Sequence, residues 1–176
     1  MLQWVNTKLW GMTYNHRLNF IFTLPSGSYS ETEAINIGSN AWNFNPYYAF
    51  TLQASPRIEV SMRLHYLWNS KNDPPPMATG LQETKAGQAF HINYASSYAV
   101  NENLNVGIAG YYLKQLNEHK ANGVNIANSQ EQVFAIGPGF QYHNKHFTLN
   151  FNSYFESSAK NRAEGKRFSL RLSKVF

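Results

Sequence analysis

Cysteine is absent from the 176 residues, so the chain has neither disulfide staples nor thiolate metal ligands. No run of about 18 apolar residues occurs, which excludes a membrane-crossing helix. Charge is sparse: 14% of residues are Asp, Glu, Lys or Arg, and the net charge of +5 is spread along the chain rather than clustered. That distribution gives no footprint for nucleic acid. Residues Met1 to Asn6 carry neither a basic leader nor an apolar h-region, so no secretory signal is readable at the start. A phosphate-cradling glycine loop is missing too, because Gly137-Pro138-Gly139 sits within a strand-like stretch rather than before a helix.

What the chain has is aromatics. Eleven Tyr, twelve Phe and four Trp make 15% of the residues, too many for a disordered segment. Yet the mean hydropathy is −0.47. Alternation reconciles the two, since each strand gives half its residues to an apolar face. The C-terminal stretch shows the pattern best: Phe168, Leu170, Leu172 and Phe176 share one face, and Arg167, Ser169, Arg171 and Ser173 share the other. Seven earlier stretches repeat it, at 18–24, 42–53, 58–69, 90–98, 104–115, 133–142 and 147–156, and residues 2–10 read as part of one more strand before a turn at 11–15. Most approach the 9–11 residues that a tilted membrane-spanning strand needs.

The connections alternate as well. Residues 25–40, 70–88, 116–132 and 157–166 are long and polar, whereas 54–57, 101–103 and 143–146 are short. Long loops at one end and tight turns at the other are the organisation of an outer-membrane barrel, and a soluble sandwich gives no reason for it. The predicted fold is therefore all-β: an antiparallel up-and-down transmembrane barrel of about eight strands plus a partial N-terminal one, closed or incomplete, spanning 1–176 as one domain. Phe20, Phe50, Leu64, Ile92, Ile108, Phe140, Phe151 and Leu170 are expected to face lipid, with Trp42, Tyr66, Trp68, Tyr112 and Tyr142 as aromatic girdles. Pro46 and Pro138 each remove a ladder donor, which predicts a bulge or break at both.

The polar faces carry Asn43, Tyr47, Glu59, Arg63, His65, His91, Asn93, Tyr111, Gln115, Glu156, Arg167 and Arg171. These are the candidates to line a lumen, and Glu59/Arg63 and Glu156/Arg171 are expected to pair into a mutually neutralised interior. For catalysis, Ser61 lies four residues before His65, but no acid or amide is placed to orient the histidine, so no catalytic residue is assigned. The six histidines are dispersed. His143 and His146 share one short turn, which reads as a polar turn rather than a metal site. No cofactor is expected.

Three stretches carry a family resemblance in combination. Leu24-Pro25-Ser26-Gly27-Ser28-Tyr29 precedes Asn36-Ile37-Gly38-Ser39-Asn40-Ala41-Trp42. Gly110-Tyr111-Tyr112-Leu113-Lys114-Gln115 forms the second stretch. Ala135-Ile136-Gly137-Pro138-Gly139 goes with Asn161-Arg162-Ala163-Glu164-Gly165 in the third. With Leu64-His65-Tyr66-Leu67-Trp68-Asn69 and the terminal Phe176, the chain resembles the meta-pathway phenol-degradation (MetA-type) family of Gram-negative outer-membrane proteins. The resemblance implies a larger barrel with a signal peptide and further strands ahead of Met1, so the chain is expected to be the C-terminal part of such a barrel. It also implies partners: the lipid bilayer of the outer membrane, small aromatic or hydrophobic molecules, and the outer-membrane assembly machinery, for which Phe176 is the expected recognition signal. The function it suggests is passive uptake or binding of such molecules, against a structural or remnant barrel without transport and, third, an outer-membrane hydrolase.

Overall fold

The computed structural model describes residues 1–174, so the expected role of Phe176 lies outside the described residues. The strands follow one another as β1 (Leu2–Leu9), β2 (Met12–Thr23), β3 (Asn43–Ser55), β4 (Ile58–Asn69), β5 (Lys71–Asn72), β6 (Thr84–Lys85), β7 (Ala89–Ala99), β8 (Leu104–Gln115), β9 (Lys120–Ala121), β10 (Val124–Asn125), β11 (Gln132–His143), β12 (Phe147–Lys160) and β13 (Lys166–Lys174). Nine of them form one antiparallel meander in the order β1-β2-β3-β4-β7-β8-β11-β12-β13. Among the described residues β1 and β13 do not pair with each other, so the sheet is open. Its two edges nevertheless border one concavity, lined by Gln3 of β1 and by Arg167 and Ser169 of β13.

Alternation puts one set of side chains on the outer face. Tyr48, Leu64, Ile92, Tyr112 and Phe134 stand side by side across five strands, and Phe140, Phe151 and Leu170 do so across three. This surface remains open: Leu170 is 70% exposed, Leu172 67% and Phe168 62%. A contiguous apolar surface of this kind is unstable against water and suits lipid. Phe20 and Phe22 extend it onto β2, stacked on Phe44 with ring centroids 6.4 and 4.6 Å apart.

Several local features depart from the sequence reading. The first turn is two residues, Trp10-Gly11, with φ of 51° and 80°. Two left-handed residues make the tight hairpin that matches strand twist, and glycine supplies the second at no steric cost. β2 therefore starts at Met12, and Thr13, Asn15 and Arg17 join the polar face. At each proline the expected local break does occur, on one side of the strand and without a bulge. Pro46 pairs in register with Phe20, and Pro138 with Ile108. On their other sides the ladder lapses over Asn45-Pro46 and Gly137-Pro138 and resumes in the same register. At Pro138 the exposed ladder is bridged from the neighbouring strand, where the Ser153 hydroxyl donates to the Pro138 carbonyl at 2.8 Å. The register shifts that do occur fall between Trp4 and Thr7, between Gln53 and Ser55, and between Gln132 and Phe134. Residues 157–160 belong to β12 rather than to a loop. The two longest central connections are knitted into a second, four-stranded sheet in the order β10-β9-β6-β5, with Lys71 bridging Asp73 at 2.8 Å and Glu83 at 3.2 Å beside it.

Leu170→Arg places a charge on the outer face where lipid cannot solvate it. It is expected to cost about 2–4 kcal/mol at mid-bilayer depth, read as a shift in the urea midpoint for unfolding from lipid vesicles. A substitution on the polar face at the same height, Ser169→Arg, should cost much less.

Candidate functional site: the polar concavity

The inner side chains fall into rows that run across the strands. One row comprises Gln3, Arg17, Ala49, Arg63, Asn93, Tyr111, Ala135 and Glu156. The next, toward the short turns, runs from Asn15 through Thr51, Ser61, Ala95 and Ala109 to Gly137. The side chains of this second row are small. Beyond it lies Gly107, where β7 and β8 approach so closely that a Cβ would meet the Ser96 carbonyl oxygen at 2.1 Å. Small side chains in a curved sheet leave space, and a cavity of about 650 Å³ occupies it.

On the long-loop side the space is filled. The row Asn19, Tyr47, His65, His91, Leu113 and Val133 packs ring on ring: His65 lies 4.0 Å from His91 at 12° and 4.7 Å from Tyr47. Tyr47, His65 and Val133 are buried. The His65 Nδ1 is bound to Asn45 at 2.9 Å, and its Nε2 is buried without a hydrogen-bond partner among the described residues. Arg17 and Arg63 lie over the Tyr47 ring, 5.8 and 5.2 Å from its centroid. Cations over a tyrosine face are attracted by its quadrupole, so this one ring draws both guanidinium groups toward it. Beyond this row, Asn43 donates to Asn69 at 2.6 Å, and Gln115 is buried between Asn117 and Glu131, to which it bonds at 2.7 and 3.4 Å.

The twelve polar-face residues singled out from the sequence thus share the face that holds the cavity, at different heights. Of them, Arg63, Asn93, Tyr111 and Arg167 border the cavity itself. Tyr47, His65 and His91 belong to the filled row, and Asn43 and Gln115 lie beyond it. Arg17 also borders the cavity, because β2 begins at Met12, six residues before the start that alternation alone indicates. The expected ion pairs do not form. Among the described residues the salt bridges are Lys71–Asp73, Lys71–Glu83 and Arg162–Glu131. Arg63 is turned toward Tyr47 rather than Glu59. Arg171 stands opposite Asn150, six residues along β12 from Glu156 or about 20 Å of strand. Glu156 instead accepts from Tyr111 Oη at 2.5 Å and from the Gly165 N–H at 2.9 Å. Ser61 and His65 lie two rows apart, and the Ser61 hydroxyl is bonded to Thr51 at 2.8 Å.

An antiparallel meander with an apolar outside and a polar, hollowed inside is the wall of an outer-membrane β-barrel. Within that class the chain belongs to the family described as "Putative MetA-pathway of phenol degradation", which it matches over residues 1–172. Its fold is similar to that of an outer membrane channel from Pseudomonas putida F1, with a TM-score of 0.69 and 15% sequence identity over 91% of this chain. The chain spans 58% of that channel's length. No curated protein matches it in sequence.

Tyr47 holds the filled row together. Tyr47→Ala is expected to lower stability by about 3–5 kcal/mol through loss of a buried ring. Tyr47→Phe keeps the ring and loses only the bond with Asn19, at a cost of about 1 kcal/mol. Urea titration of both variants in the same detergent measures the difference.

Proposed function

We propose that this chain forms part of the wall of a passive outer-membrane channel for small aromatic compounds, and that the polar-face residues Arg63, Asn93, Tyr111 and Arg167 line its lumen. The observation that supports this reading is the row of small side chains, Thr51, Ser61, Ala95 and Ala109, which leaves a cavity of about 650 Å³ inside a lipid-facing wall. That volume lies within the range of small-molecule sites. Tyrosine rings supply flat contacts: Tyr111 and Tyr154 lie 5.5 Å apart at its edge. The family and the channel-like fold agree with transport. A hydrolytic role finds less support, because Ser61 and His65 lie about 13 Å apart along β4. The complete barrel, on this reading, uses further strands to close the wall.

Ala109 faces Ala95 on one side and Gly137 on the other. Ala109→Trp is therefore expected to fill the cavity without disturbing the outer face. In proteoliposomes it should slow phenol influx several-fold relative to the unsubstituted protein. Equal influx through both, no faster than through empty liposomes, would favour a structural barrel without transport.

A further inference from the structure

The cavity carries charge of one sign. Arg17, Arg63 and Arg167 line it, and no Asp or Glu does. None of the three guanidinium groups forms a salt bridge with a carboxylate of the described residues. The two carboxylates on the inner face are already engaged: Glu156, at the cavity's edge, accepts through one oxygen from Tyr111 and through the other from the Gly165 N–H, and Glu59 accepts from Ser61 at 3.4 Å toward the short-turn end. Arg17 and Arg63 flank Ala49 in one row, and both lie over the Tyr47 ring. Two cations held side by side in a concavity repel one another until an anion or water comes between them. A guanidinium presents a planar fork of donors that matches a carboxylate in a bidentate pair. On β13, Arg167 is the register neighbour of Tyr154, whose ring neighbours that of Tyr111. Cationic forks and flat rings thus border one space.

We infer that the cavity is an anion site that selects single-ring aromatic carboxylates over their neutral counterparts. Arg17 and Arg63 take the carboxylate, Arg167 adds positive potential, and Tyr111 and Tyr154 contact the ring. The inference rests on the uptake reading above and narrows it from aromatic compounds at large to those bearing a negative charge. It also accounts for the missing ion pairs, since arginines neutralised by glutamates would not be free for a ligand.

The test is equilibrium binding of benzoate, benzyl alcohol and acetate to the full chain folded in detergent micelles, with heat-modifiable gel migration confirming the fold of each variant. Benzoate is expected to bind more tightly than either of the others and to weaken as chloride is raised. Arg63→Gln should lower benzoate affinity by roughly tenfold or more, the effect of losing a charge-assisted hydrogen-bonded pair, and lower benzyl alcohol affinity far less. Arg63→Lys should fall between. Equal affinity for benzoate and benzyl alcohol, unaffected by Arg63→Gln, would overturn the charge selection while leaving aromatic uptake standing. Acetate competing as well as benzoate would overturn the ring contact. Failure of all three to bind, together with no phenol influx, would overturn both readings. Should Arg63→Gln fail to fold, the unsubstituted protein decides: benzoate affinity that does not fall with salt excludes the arginine site.

Discussion

A chain in lipid must pair every backbone N–H and C=O within the protein, because no water is there to take them. The rest of this structure follows from that requirement. It dictates a continuous hydrogen-bonded meander, and the meander's period of two then forces successive residues onto opposite faces. Lipid on one side and a polar concavity on the other follow without further specification. Even the two mid-strand prolines obey it. Pro46 and Pro138 each lack one donor and interrupt the ladder on one side, yet pairing resumes in the same register beyond them, and at Pro138 the Ser153 hydroxyl donates to the proline carbonyl from the next strand.

The interior is organised by size as much as by polarity. Bulky rings fill the row of Tyr47, His65 and His91, and small side chains empty the next-but-one row at Thr51, Ser61, Ala95 and Ala109. Between them lies the row that carries Arg17 and Arg63. These cations rest on an aromatic face instead of on carboxylates, so the ring below them has both a packing role and an electrostatic one. An interior of mutually neutral ion pairs would be inert toward charged solutes, whereas this arrangement leaves a positive potential directed into the open space.

The strands from Asn43 onward were legible in the sequence because alternation is local: Ile58 to Asn69 or Gln132 to His143 show their face residue by residue. The start of β2 was less so. His16 points outward among apolar neighbours, stacked between Trp4 and Tyr14 at 4.8 and 4.9 Å, which breaks the polar-apolar rhythm, and the Trp10-Gly11 turn has no asparagine or aspartate to mark it. The four two-residue strands had no local signal at all. They exist because Thr84 and Lys85 meet Ala121 and Lys120 across a long stretch of chain.

Which face a residue occupies was therefore determined by the sequence alone, since the period of two is fixed by backbone geometry. The height of each residue on that face was decided only by tertiary structure, because height depends on the register of every strand against its neighbours. Glu156 and Arg171 were correctly opposite in charge and on one face, but register set them apart, whereas Glu59 and Arg63 share β4 and the four-residue step between them already holds them about 13 Å apart. The same register brought Arg17, on a strand read as shorter, beside Arg63 across Ala49. A side chain's face is a property of its own strand, and its partners are a property of the whole sheet.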